Sequence, residues 1–176
     1  IFSGTYSSTA KNLEITNPER IPMFYQVTQA GFDLDLPTKE TKNGIEVFRE
    51  FTNENGKSIT SAKLGDVVYV KLNFRSLTKE TVSNVALVDL LPAGLEVDIA
   101  SIREDNSSSW QPDYVDIRED RIVVFGSVRE KVDTYVYQTR AINKGTYIVP
   151  PLFAEALYDK TVWALRPQDK IVITGK

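Results

Sequence analysis

From Val67 to Phe74 the chain reads V-V-Y-V-K-L-N-F, which sets Val68, Val70, Leu72 and Phe74 on one side and Val67, Tyr69, Lys71 and Asn73 on the other. A period of two with one polar side is the pattern of a half-buried strand. Gly65-Asp66 ahead of it supplies a turn. Shorter runs of the same kind, bounded by Gly, Pro, Asn and Asp, recur on both sides. Upstream they are Asn12 to Thr16, Met23 to Gln29 after Pro18 and Pro22, and Ile45 to Phe51 after Asn43-Gly44. Asn55-Gly56 is a hairpin dipeptide, so 45–52 is predicted to pair with a short strand near Lys57 to Thr60. Downstream, Val85 to Leu91 (V-A-L-V-D-L-L) reads as a buried strand ended by Pro92-Ala93-Gly94, and Leu95 to Ile99 alternates. Tyr114 to Ile117 and Arg121 to Ser127 read as a hairpin. Asp133 to Ile142 is a long strand that turns at Asn143-Lys144-Gly145 into Thr146 to Val149. Pro150-Pro151 then forms a fixed corner, because proline cannot donate to a sheet ladder. Leu152 to Tyr158, Thr161 to Leu165 and Lys170 to Thr174 complete the series.

Ten to twelve short strands at regular spacing, with no sustained helical period, predict an all-β fold: an antiparallel β-sandwich with a short leading β segment. Residues 1–36 are expected to be that leading segment, the tail of a preceding domain, and 37–176 the sandwich domain. I-R-E-D occurs at 102–105 and again at 117–120, but a fifteen-residue spacing is too short for a solenoid repeat and reads as coincidence.

Composition narrows the chemistry. The 176 residues are 41% hydrophobic and 26% charged, which suits a chain that buries its own core. No run approaches the ~18 apolar residues of a membrane-spanning helix. Residue 1 is Ile, so the chain reads as a piece of a longer protein whose targeting signals lie elsewhere. Residues 1–88 hold ten basic and ten acidic side chains, and 89–176 hold eleven and fourteen. Neither half offers the positive footprint that nucleic acid requires. There is no His and no Cys, which removes Ser-His-Asp and Cys-His catalysis, His or Cys zinc sites and disulfides from consideration.

The remaining chemical motifs are weak. Ser76-Leu77-Thr78-Lys79 matches S-x-x-K, but the S-D-N and K-T-G partners of that nucleophile pattern are absent, so it reads as a solvated loop. Asp33 with Asp35, and Asp113 with Asp116, lack the glycine turn and ligand spacing of a calcium loop. Asn106-Ser107-Ser108 fits a glycosylation sequon in a polar loop and is given no role. A Lys–Asn crosslink would need a buried lysine. The expectation is no enzyme, no metal and no cofactor. The second half is rich in aromatics, Trp110, Tyr135, Tyr137, Tyr147 and Phe153 among them. These are expected in the core, whereas Tyr158 and Trp163 are candidates for an exposed docking face. With 146–157 central to the sandwich, Phe153→Ala is expected to cost ~3–5 kcal/mol.

Three motifs in order carry a resemblance. N-V-A-L-V-D-L-L-P-A-G-L-E-V (84–97) is followed by R-E-D-R-I-V-V-F-G (118–126). Y-V-Y-Q-T-R-A-I-N-K-G-T-Y-I-V-P-P (135–151) comes next and runs on to A-E-A-L-Y-D (154–159). Together they resemble the C-terminal macroglobulin-like domain of bacterial alpha-2-macroglobulins, from about Val47 to Asp159. I-T-N-P-E-R-I-P-M-F-Y-Q-V-T-Q-A-G-F (15–32) resembles the sequence just upstream of that domain. Family members often read M-Y-D-P where this chain has Leu157-Tyr158-Asp159-Lys160. A Gly-rich tail is replaced by Arg166-Pro167-Gln168-Asp169.

The resemblance implies a large envelope parent on the periplasmic side, often a lipoprotein, that traps attacking proteases. In one subgroup a Cys–Gln thioester captures the protease, and a chain without Cys cannot hold it. The implied role here is non-catalytic, packing against other domains of the parent. Glu155, Tyr158 and Asp159, just past the Pro-Pro corner, together with Trp163, are the predicted interdomain contacts. The alternative is a β-sandwich repeat of a bacterial surface adhesin, in which V-D-L-L-P-A-G-L would be equally normal.

Overall fold

A computed structural model describes residues 4, 5, 7, 9–18, 21–28, 37–104 and 108–175. The chain divides into two compact units, Ile1–Asp33 and Leu34–Lys176. In the first, the described residues of 12–16 and 23–28 form no strand, although both runs alternate like one. A β-former without a neighbouring strand has no ladder to join. Their apolar side chains stand in solvent, Phe24 fully and Tyr25 at 74%. The expected connector around Asp33 and Asp35 lies outside the described residues.

Among the described residues the second unit holds thirteen strands and one short helix. They are β1 (Thr41–Asn43), β2 (Ile45–Thr52), β3 (Ser61–Lys63), β4 (Val67–Ser76), β5 (Val82–Leu90), β6 (Leu95–Val97), α1 (Ile99–Glu104), β7 (Tyr114–Ile117), β8 (Arg121–Val128), β9 (Asp133–Ala141), β10 (Gly145–Val149), β11 (Leu152–Ala156), β12 (Asp159–Arg166) and β13 (Asp169–Thr174). They make a six-stranded sheet ordered β1-β12-β11-β5-β8-β7, a four-stranded sheet ordered β2-β4-β9-β6 and a three-stranded sheet ordered β10-β13-β3. All pairings are antiparallel except β13 with β3.

The all-β fold and most strand positions agree with the sequence pattern. Two local features differ. The Asn55-Gly56 turn closes only a single bridge, Thr52 to Ser58, and the strand that follows it joins β13 rather than β2. Ile99 is not a strand residue but starts α1, where Asp98 Oδ1 accepts from the Ala100 N–H at 3.1 Å. That is an N-cap contact on a helix too short to show a period. One I-R-E-D copy therefore starts in a helix and the other at a strand end, as coincidence requires.

The core lies between the six-stranded sheet and the other two. Ile45, Val47, Val68, Val70, Leu72 and Phe74 face Val85, Leu87, Ile122, Val124, Leu152 and Ala154 across it. Ile171, Ile173 and Val149 of the three-stranded sheet join the same cluster. Trp110, expected in the core, is buried in it. Its ring meets Phe74 edge-on at 4.9 Å, and its Nε1–H donates to the Ser127 carbonyl at 2.9 Å. The indole lies over Gly126, where an added Cβ would come within 2.2 Å of the ring. Gly94 of the P-A-G turn is closed off similarly, by Tyr147 at 2.3 Å and Ile173 at 2.6 Å. Neither glycine is needed for an unusual φ; each leaves room for a ring.

Gly126→Ala is therefore expected to destabilise the domain by about 1–3 kcal/mol through overpacking. Urea unfolding checks this, with Trp fluorescence of the folded state shifting as Trp110 is displaced.

Candidate functional site

β11 and β12 form a hairpin whose alternation sorts the predicted contact residues. Leu152, Ala154 and Ala156 point into the core, so Phe153 and Glu155 point outward. Trp163 is the cross-strand neighbour of Glu155, and its ring lies 6.3 Å from that of Phe153. Phe153, expected in the core, is thus on the outer surface of a central strand. The period of two was legible, but its phase at this strand was misjudged.

The hairpin closes with Ala156 opposite Asp159, leaving Leu157 and Tyr158 at its tip. Tyr158 is 85% exposed. The tip is tied down, because the Leu157 N–H donates to the Asn84 carbonyl at 2.9 Å. Asn84 sits at φ 55°, in the left-handed region that Asn tolerates, beside the irregular register between Val82 and Val85. Asp159 accepts from the Thr161 hydroxyl at 2.6 Å and its N–H at 3.0 Å. Those two bonds, the hydroxyl first, hold its carboxyl below the usual range. Glu155 meets Lys160 at 3.6 Å in a loose surface pair. The structure therefore places Glu155 and Trp163 together on the sheet surface, and Tyr158 and Asp159 at the tip.

A second constellation was not foreseen. Arg49 on β2 and Asp89 on β5 both point into the core, with side chains 4% and 0% exposed. Arg49 Nη1 donates to Asp89 Oδ1, and Nη2 donates to the Pro150 carbonyl at 2.5 Å. The Tyr137 hydroxyl on β9 donates to Asp89 Oδ2 at 2.6 Å. One ion pair thus joins both large sheets and the Pro-Pro corner. Its signal was in the sequence: Arg49 and Asp89 occupy core-facing phases of I-E-V-F-R-E-F and V-A-L-V-D-L-L. A buried charge needs a charged partner. Burial first, and then the Asp89 charge, push the Tyr137 hydroxyl well above its ordinary value.

Other candidates resolve as structure. Ser76 is the last residue of β4 and is buried, not solvated. Its Oγ lies 3.0 Å from Thr78 Oγ1 and accepts from the Thr78 N–H at 3.2 Å, a turn contact rather than a nucleophile's setting. Asp116 is paired with Arg118. Among the described residues no three His, Cys, Asp or Glu side chains gather into a metal site, and no lysine is buried. The described part of the sequon loop stitches to β9, where Ser108 and Ser109 hydroxyls accept from Val136 and Thr134 N–H groups at 2.9 Å. A groove of about 700 Å³ between the β5–β6 and β7–β8 turns is lined by Leu91, Pro92, Val97, Ile99, Ile117 and Ile142 among others. Among the described residues no helix is long and apolar enough to cross a membrane.

Comparison with known proteins adds the following. Residues 44–160 match the family described as the bacterial alpha-2-macroglobulin MG10 domain. An alpha-2-macroglobulin homolog of Yersinia pestis is 38% identical over 92% of this chain, which is 9% of the relative's length. The alpha-2-macroglobulin of Rickettsia conorii is 36% identical over 85% of the chain and 8% of its own length. The chain therefore spans about a tenth or less of the relatives it matches. A crystal structure of native Escherichia coli alpha-2-macroglobulin, spanning domain MG7 to the C-terminus, superposes with a TM-score of 0.70 at 26% identity, over 82% of this chain and 25% of that one. Salmonella alpha-2-macroglobulin reacted with methylamine gives 0.69 at 25% identity, over 82% of this chain and 10% of that one.

Three stability outcomes follow from this geometry. Leu152→Ala should cost about 2–5 kcal/mol, whereas Phe153→Ala, at an outward and only partly buried position, should cost under about 2 kcal/mol. Asp89→Ala, which strands a buried guanidinium, should cost ~3–5 kcal/mol, and the double replacement Arg49→Met with Asp89→Leu clearly less. The third concerns pH. The folded pKa of Tyr137 lies above the unfolded value, so its contribution is complete below about pH 10. It is then lost by ~1.4 kcal/mol per pH unit as pH rises toward the folded value. Urea unfolding from pH 8 to 11 should show this decline, and Tyr137→Phe should flatten it.

Proposed function

The chain belongs to the bacterial alpha-2-macroglobulin family, and on that premise we propose that it is a non-catalytic domain of a large protease-trapping parent, packing against the parent's other domains while a protease is captured. The observation that carries this reading is the β11–β12 hairpin. It holds an 85% exposed Tyr158 on an anchored tip, with Glu155 and Trp163 outward behind it. A solvent-facing tyrosine on a fixed backbone is a low-entropy anchor for a partner surface. Tyr158, Asp159, Glu155 and Trp163 are the contacts we assign to that role.

Residues 1–36 fit the same picture as the tail of a preceding module. Leu13, Ile15, Phe24 and Tyr25 are apolar, exposed and strand-like in pattern, as a segment that pairs elsewhere would be. A thioester, where the parent has one, lies outside this cysteine-free stretch. The family points to the periplasmic side of the envelope, with the parent often lipid-anchored. An adhesin repeat is not favoured by the match over 44–160.

The test uses the full-length parent in a protease-capture assay. Tyr158→Ala should weaken capture or release the trap prematurely, while Tyr69→Ala on the opposite sheet should behave as wild type. Unchanged capture by Tyr158→Ala, or protease inhibition by residues 1–176 alone, would overturn the assignment.

A further inference from the structure

The two large sheets turn different surfaces outward. On the four-stranded sheet charged outward positions such as Glu46, Glu50, Lys71 and Arg140 are interspersed with Phe48 and Tyr69, a mixed face. On the six-stranded sheet the cross-strand registers align two apolar rows. One runs Val123, Val88, Phe153, Leu165 from β8 to β12. The other runs Tyr114, Phe125, Ala86, Glu155, Trp163 from β7 to β12. Tyr114 stacks on Phe125 with ring centres 5.9 Å apart, and Phe153 on Trp163 at 6.3 Å. A strand that is apolar on both faces is the pattern of a sheet covered on both faces. Five strands ~4.8 Å apart and about three residues deep make a patch of roughly 240 Å², a contiguous apolar area of the kind that marks interaction surfaces when it is rimmed by polar residues.

Glu155 is the acid set inside those rows, between Ala86 and Trp163. Its Lys160 contact is 3.6 Å long and the lysine is 75% exposed, so the carboxylate is left available to a second cation. A covering surface must bring one, because an acid sealed under an apolar partner without a donor is costly. This argues against a second copy of the same chain. The two rows hold no Lys or Arg, so two-fold pairing of this patch with itself would bring no basic side chain from them to Glu155. The relatives supply a different source: nine-tenths of their length lies outside the matched region.

We propose that the outer face of the six-stranded sheet is covered, in the full-length protein, by another module of the same polypeptide, through an apolar surface that carries a basic side chain opposite Glu155. This rests on the reading of the chain as a packing domain and adds the sheet face to the contact assigned to the Tyr158 tip.

The experiment places a photo-crosslinking benzophenone amino acid in the full-length parent at Phe125 or, separately, at the more exposed Tyr114. Tyr158 tests the tip, and Tyr69 on the four-stranded sheet is the reference. Mass spectrometry then locates the crosslinks. Intramolecular crosslinks from Phe125 or Tyr114 to residues outside 1–176, with none from Tyr69, support the proposal. Glu155→Lys should reduce their yield several-fold, and a basic-to-acidic change at the crosslinked site should restore it. Crosslinks between two molecules, crosslinks to residues 1–33 only, or none at Phe125 and Tyr114 overturn it. If Tyr158 alone crosslinks to the parent, the packing reading survives and the sheet-face proposal fails. Where none of the three positions crosslinks, both fail.

Discussion

Arg49 and Asp89 meet where the chain has no water to offer either of them. Each comes from a different sheet, and each is tolerable there only because the other is present. The guanidinium also takes up the Pro150 carbonyl, and the carboxylate takes up the Tyr137 hydroxyl. Four segments far apart in sequence, β2, β5, β9 and the corner before β11, are thereby brought to one point. Apolar burial would press the two sheets together in several sliding registers. A charge pair with two further hydrogen bonds is satisfied in one of them. The hydrophobic core supplies the driving force, and this polar knot selects the alignment.

That alignment decides what the outer surfaces look like. With Leu152, Ala154 and Ala156 held inward, Phe153, Glu155 and Trp163 have nowhere to point but out. The irregular register of β5 at Asn84 then fixes the height of the hairpin tip. Interaction surface and core are two sides of the same strands, so a partner that binds outside reads a geometry set within.

Much of this was legible in the residues. The alternation in β2, β4, β8 and β9 located the strands, and Pro150-Pro151 marked the crossing between sheets. The pairing of β3 with β13 was not legible, because it joins residues over a hundred positions apart and neither strand carries a local sign of the other. The role of Gly126 was not legible either, because what it contributes is the absence of a side chain where the Trp110 ring lies. Phe153 was one step from being placed correctly, and Asp89, inside a run read as a buried strand, was not singled out. Phase, not period, tells inside from outside, and a charged residue on the apolar phase is the clue to a buried partner. Asn12 to Thr16 and Met23 to Gln29 show the converse: alternation states that a run can form a strand, not that a neighbour is present to complete it.

The acceptor that Pro150 contributes is a main-chain oxygen, not a side chain. Every amino acid carries that atom, so no substitution at 150 can delete it; a substitution can only move it. The genetic fragility of the knot is therefore uneven. Codons 49, 89 and 137 each encode chemistry that a single change can erase, whereas codon 150 encodes only a position. Sequences drifting under selection for the same fold should keep the three side chains as a set and are free to vary at the corner as long as its backbone stays in place.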